Sequence, residues 1–207
     1  MGGQVENVTL DNSNYSNSPT YDTAVSLSNN TLLFGFPRAN NEKGTQAGEV
    51  VIYSFESDSR VKSRTLLSPD GASYSNFGEN VKVDEDILIV IGQRSAANYS
   101  DAAEQAYIYN RGNDGQWVPG QTLTGTLSDG RTWNSLRDSI DVDGDTLFIG
   151  SPVNDGHVFV YNRDSSNSWN QTQLLEVAFE LGVYGDFGSA IAIDGDIALI
   201  GANGLSQ

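Results

Sequence analysis

Four stretches of the 207-residue chain repeat one order of residues, and that repetition constrains the fold more than any other feature. Each opens on an aromatic-Gly pair or its variant: Tyr21-Asp22, Phe77-Gly78, Leu136-Arg137 and Phe187-Gly188. Nine residues after the first member of each pair comes an acidic or Asn turn residue: Asn30, Asp86, Asp145 and Asp196. A short apolar run follows and stops at Gly35, Gly92, Gly150 and Gly201. Three copies then carry an apolar, aromatic-rich run ending at Tyr53, Tyr109 and Tyr161. The turn residues are spaced by 56, 59 and 51 positions, yet the nine-residue offset never changes. A fixed offset inside units of unequal length marks a structural repeat rather than chance similarity.

Each unit reads as four strands. Strand one alternates, as in Ile140 and Val142 or Ile191 and Ile193, the period of a half-buried strand. Asp143-Gly144 and Asp194-Gly195 then predict a tight type I′ turn, with positive φ at both central residues. Asn29-Asn30 and Glu85-Asp86 take that place in the other copies, and Glu suits positive φ less well. Strand two is almost wholly apolar, as in Ile87-Leu88-Ile89-Val90-Ile91, which predicts burial on both faces between neighbouring sheets. Strand three ends at the repeated Tyr. Strand four ends at Leu66-Leu67, Leu123 and Leu174-Leu175, and Trp117 and Trp169 enter it in two copies. No stretch has the length and period of a helix; Ser100–Ala106 has room for one turn at most.

The expected fold is therefore all-β: a β-propeller with four-stranded antiparallel blades, about 3.5 of them. The units are 21–76, 77–135, 136–186 and the incomplete 187–207, within a single domain of residues 1–207. Residues 4–10 read as a strand four from a split blade, because Leu10 precedes Tyr21 by eleven residues, as Leu66 precedes Phe77. The split blade lacks a strand three. Strands two and four run parallel, so they cannot pair antiparallel with each other. That arithmetic predicts a partial propeller, or self-association that completes the ring.

Phe187-Gly188-Ser189-Ala190-Ile191-Ala192-Ile193-Asp194-Gly195-Asp196, followed by Ile197 to Ala202, resembles the FG-GAP repeat. Phe77-Gly78, Gly35-Phe36-Pro37 and Gly150-Ser151-Pro152 match its two naming motifs. Leu136-Arg137 and Tyr21-Asp22 depart from Phe-Gly, and Gly92-Gln93-Arg94 and Gly201-Ala202-Asn203 lack the Pro. FG-GAP repeats are the blade units of integrin α-subunit heads and of many bacterial and algal surface proteins. The resemblance implies a non-catalytic binding or adhesion module, extracellular or at the cell surface, and not an enzyme.

Many FG-GAP blades carry a Ca²⁺ loop between strands one and two. Asp141, Asp143 and Asp145 are the candidate ligands here. Six to eight oxygens are needed. Thr146-Leu147-Phe148 returns at once to an apolar strand with no later carboxylate, so hairpin turns are expected and no cofactor. Only diffuse Ca²⁺ association follows from the charge. Asp and Glu number 27 against 11 Lys and Arg, a formal net charge of -16. That balance disfavours nucleic acid and anionic membranes as partners. No apolar run approaches a membrane span, so membrane attachment is expected only through parts absent from this chain. The start Met1-Gly2-Gly3-Gln4 has no signal-peptide pattern.

Catalytic chemistry has little to stand on. The absence of Cys excludes thiolate nucleophiles, thiolate zinc sites and disulfides. His157 is the only histidine, and it reads as a rim or solvent residue. Neither G-x-S-x-G nor a phosphate-binding loop occurs. A carboxylate pair on a propeller scaffold, as in a polysaccharide lyase or glycosidase, is the alternative class; a structural spacer is another. Tyr53, Tyr109, Tyr161, Trp117 and Trp169 keep fixed places in the units and are expected between blades. The variable loops, two-to-three and four-to-one, fall on one face of the ring. Any protein or glycan ligand is expected there, near Arg38, Lys43, Arg94, Arg131 and Trp133.

Overall fold

The computed structural model describes residues 24–56, 59–93, 104–125, 127, 139–152, 156–177 and 185–203. They form fourteen strands and, among the described residues, no helix. The first sheet holds β1 (Ala24–Ser28), β2 (Thr31–Phe36), β3 (Glu49–Glu56) and β4 (Ser59–Leu67). The second holds β5 (Asn80–Asp84), β6 (Ile87–Gln93), β7 (Glu104–Arg111) and β8 (Trp117–Leu123). The third holds β9 (Ile140–Asp143), β10 (Thr146–Ser151), β11 (His157–Arg163) and β12 (Trp169–Glu176). A fourth pairs only β13 (Phe187–Asp194) with β14 (Ile197–Ala202). Every neighbour is antiparallel, and each four-stranded sheet runs in chain order. The expected four-strand units are present. Glu104–Ala106, read as at most part of a helical turn, belongs to β7 because its backbone completes the ladder with β6.

The sheets stack in sequence. Leu33, Val50, Ile52 and Leu66 of the first meet Val81, Val83, Leu88, Val90 and Trp117 of the second. Ile87, Ile89, Ile91 and Ile108 leave the opposite face of the second sheet to meet Ile140, Leu147, Ile149, Phe159 and Trp169 of the third. Alternate residues of β6 thus serve two different cores, and all seven are buried. This is why strand two is apolar throughout rather than alternating. Tyr109, Tyr161, Trp117 and Trp169 are buried in these cores, while Tyr53 is half-buried, edge-on to Phe34 at 5.8 Å. A register shift recurs where strand three meets strand four, next to Tyr53, Tyr109 and Tyr161 in turn. The repeat therefore extends to a conserved bend in the outer hairpin.

The hairpin turns lie one residue later than the Asp-Gly spacing suggests. Asp143 still pairs with Thr146, so the loop is Gly144-Asp145; Asp194 pairs with Ile197 around Gly195-Asp196. The left-handed residue is the first of the two: Asn29 at φ 49°, Glu85 at 44°, Gly144 at 56° and Gly195 at 55°. Glu85 does not depart from the pattern. The ladders on both sides hold it in a conformation that costs a non-glycine residue about 1 kcal/mol or more.

Burial sets a pH limit. Desolvation pushes the Tyr109 phenol up to about 12, and pushes Tyr107 and Tyr161 further in the same direction. Ordinary tyrosine ionises near ~10. The fold thus holds these phenols neutral, and the stability this gives is complete below that value and lost as pH rises through the folded-state pKa. In an alkaline titration, the tyrosinate absorbance of the buried phenols is expected to appear together with loss of the β-sheet circular dichroism. Full ionisation of all nine tyrosines with the dichroism intact would contradict the packing.

Candidate functional site

The units dock through their glycines. A β-carbon on Gly35 would overlap the carbonyl of Gly78, and one on Gly150 would overlap that of Gly188. Gly48 and Gly156 bridge in parallel to Phe77 and Phe187, again with no room for a β-carbon. The Ser139 hydroxyl also donates to the Gly188 carbonyl. Phe77 is fully buried at this seam, edge-on to Tyr107 at 5.4 Å. The aromatic-Gly pair of one unit is thus the lock on the strand-two glycine of the unit before it.

The seam fixes two loops on one face. The β2–β3 loop and the β4–β5 loop bond to each other along their lengths. Tyr74 N–H donates to Thr45 O at 2.8 Å, Asn76 N–H to Gln46 O at 3.1 Å and Phe77 N–H to Ala47 O at 3.1 Å. Thr45 N–H donates to Ser73 Oγ at 3.2 Å, and Ser75 Oγ donates to Ala47 O at 3.2 Å. Asn40 and Asn41 hold the first loop from within, through Gln46 N–H and Lys43 N–H, each at 2.8 Å. Gln46, Tyr74 and Asn76 all have positive φ, at 50°, 68° and 47°. Three non-glycine residues in a costly conformation within two facing loops mark the most strained part of the described surface. Asp70 anchors the same loop, accepting from Tyr107 Oη at 2.6 Å and Ser68 Oγ at 3.3 Å.

At the opposite end of the strands, side chains stitch consecutive units. The last residue of each inner strand accepts from the first turn N–H of the next unit. Ser28 accepts from Glu85 at 3.4 Å, Asp84 from Gly144 at 3.1 Å and Asp143 from Gly195 at 2.6 Å. Two residues earlier, Ser26 accepts from Val83 N–H at 3.0 Å and Asp141 from Ile193 N–H at 2.7 Å. The other Asp141 oxygen meets Lys82 Nζ at 2.6 Å and Val142 N–H at 3.0 Å. Ser26 and Lys82, with Ser139, also line an open pocket of about 400 Å³ between β1, β5, β9 and β13.

Residues 61–109 match the family profile of the FG-GAP repeat. The chain carries an FG-GAP repeat. No curated protein matches the sequence. The matched stretch begins in β4 and ends in β7, so the FG-GAP unit as a sequence straddles two sheets. It includes Phe77-Gly78, the pair that locks the second sheet onto the first.

Within this FG-GAP frame the candidate residues separate. Arg38 and Lys43 are exposed on the β2–β3 loop, on the strained face. Arg94, Arg131 and Trp133 lie outside the described residues. Asp141, Asp143 and Asp145 point to different partners: Asp141 to Lys82 and Ile193, Asp143 to Gly195, and Asp145 to Arg163 Nε at 2.6 Å. His157, read as a rim or solvent residue, is instead buried, with Nε2 3.3 Å from Glu176 Oε1. The Phe187-Gly188 lock lies against its backbone and covers it. Sequence reading missed Tyr74, an exposed aromatic at the centre of the loop face. Its signal was weak, since it sits in a variable loop outside the repeated pattern.

Proposed function

We propose that the sheets are blades of a β-propeller, three complete and one half-formed, and that the chain is a non-catalytic binding module recognising a protein or glycan through its loop face. The observation that carries this reading is the pair of cross-bonded loops, with strained Gln46, Tyr74 and Asn76 beside exposed Arg38 and Lys43. Variable loops held on a rigid scaffold are the usual seat of recognition, and stored backbone strain favours such a seat. Arg94, Arg131 and Trp133 belong to the corresponding loops of the later units and are assigned to the same face. The FG-GAP repeat supports an integrin-like propeller, and with it an extracellular or cell-surface setting.

The test is a glycan array and a panel of surface proteins probed with the whole chain. Binding is expected, and Tyr74→Ala or Trp133→Ala should weaken it at least about tenfold, the loss of one aromatic anchor. Arg38→Ala should weaken it less. Turnover of a polysaccharide, abolished by a single carboxylate substitution, would overturn this reading in favour of a propeller-scaffold enzyme.

A further inference from the structure

The outer strands of the three complete sheets differ in how they are kept from pairing. β4, β8 and β12 each end their sheet, with a neighbour on one side only among the described residues. An open strand edge invites a second chain, and charge, Pro and bulges are the usual protection. All three strands share the bulge. β4 adds Arg60, Lys62 and Arg64, and β8 adds Pro119. β12 adds neither charge nor Pro from Trp169 to Leu175. Its run Asn170-Gln171-Thr172-Gln173-Leu174-Leu175 has no charge, Pro or Gly, the composition that stacks into cross-β assemblies. Asn170, Gln171, Thr172 and Gln173 are all exposed. That exposure does not come from where the described sheets stop. The matching β8 residues Val118, Pro119, Gly120 and Gln121 are exposed too, although the third sheet packs on theirs.

The same run opens on Asn170-Gln171-Thr172, an acceptor sequence for N-linked sugar. Four other such sequences begin at Asn7, Asn14, Asn29 and Asn98. Asn7, Asn14 and Asn98 lie outside the described residues, and Asn29 stands in a tight hairpin turn. Only Asn170 stands on an outer strand. We infer that Asn170 carries an N-linked glycan, and that this glycan caps the outer edge of β12. The inference rests on the proposed extracellular or cell-surface setting. The donor is an oligosaccharide on a lipid pyrophosphate. Asn170 Nδ2 displaces the pyrophosphate from C1 of the first sugar: the C1–O bond breaks, a C1–N bond forms, and the amide proton leaves with the lipid pyrophosphate. In the folded chain Nδ2 donates to Asp164 Oδ2 and to Ser168 O, each at 3.1 Å. The sugar takes the place of one hydrogen, so one of these bonds survives. A bulky, soluble group then stands where β4 has cations and β8 has Pro.

The whole chain, given a signal peptide, is secreted from a eukaryotic host and mapped by mass spectrometry. Asn170 is expected to carry a glycan that Asn170→Gln and Thr172→Ala both remove and Thr172→Ser keeps. Circular dichroism checks that every variant retains its sheets. Without this glycan, thioflavin-positive aggregate should grow at least about tenfold faster at equal concentration. Asn170→Lys has no glycan but puts a charge on the edge, and should aggregate as slowly as the glycosylated chain. A bare Asn170 in the secreted chain would overturn the inference, as would aggregation indifferent to the glycan. Asn170→Lys aggregating as fast as Asn170→Gln would overturn the cap, because the glycan would then act through bulk solubility and not at the edge. The setting is read apart from these, by surface labelling and fractionation of the source cells. A chain confined to the cell interior would overturn the setting, and with it the modification, even where the secreted chain is glycosylated.

Discussion

Gly150→Ala is expected to separate the third sheet from the fourth and to cost about 3 kcal/mol, at the upper end for overpacking a filled site. The new methyl would have to occupy the space of the Gly188 carbonyl and the Ser139 hydroxyl. The carbonyl cannot readily give way. The carbonyl is main chain, and Gly188 stands at φ 90°, a conformation closed to other residues, so its segment has few alternatives. The control is Gly144→Ala. Gly144 has positive φ but no atom within 4 Å of an added β-carbon. Its substitution should cost only the conformational amount, about 1 kcal/mol. Urea midpoints of the two variants separate contact from conformation. Equal losses would mean that the glycine of the strand-two motif is kept for its backbone freedom and not as a docking surface.

The second large effect concerns Asp141. Its carboxylate accepts from Ile193 and Val142 N–H and pairs with Lys82, and its side chain is 11% exposed. Asp141→Ala leaves two backbone donors and the Lys82 ammonium without their acceptor, so a loss of about 2 kcal/mol is expected, within the range for leaving buried donors unsatisfied. Asp141→Asn keeps one acceptor and should lose about half as much. The double variant Asp141→Leu/Lys82→Met removes both charges and should recover part of the loss, since it leaves no charge unpaired. Chemical denaturation of the four proteins reads this directly. A loss below about 0.5 kcal/mol for Asp141→Ala would place the carboxylate among ordinary surface groups.

These two residues show what was legible in the sequence. Gly150 was visible as a stop to the apolar run that follows a turn residue, itself at the constant nine-residue offset from the pair that opens the unit. Nothing in that offset says that the pair and the glycine of different units touch. Asp141 was visible as one of three alternating aspartates, read as part of a hairpin turn because no later carboxylate follows them. Asp141 and Asp143, two apart on one strand, face the same next inner strand but accept from different backbone N–H groups, Ile193 and Gly195, while Asp145, on the turn, swings to Arg163. Proximity in sequence did not become proximity of oxygens. Tyr74 and its strained neighbours were not legible at all, because positive φ at Gln46, Tyr74 and Asn76 is imposed by hydrogen bonds between two loops about 28 residues apart. His157 failed for a similar reason, its cover coming from the next unit.

The sequence by itself determined the four-strand units among the described residues and the order of their strands, because period-two burial and turn chemistry are local and recur in every copy. It also determined that strand two must be covered on both sides. Only the tertiary structure decided which glycine meets which carbonyl, where each aspartate spends its oxygens, and how the described residues cover β2, β6 and β10. Those outcomes depend on contacts between units. A repeat writes the same faces into every copy, but only packing determines which copy has a neighbour.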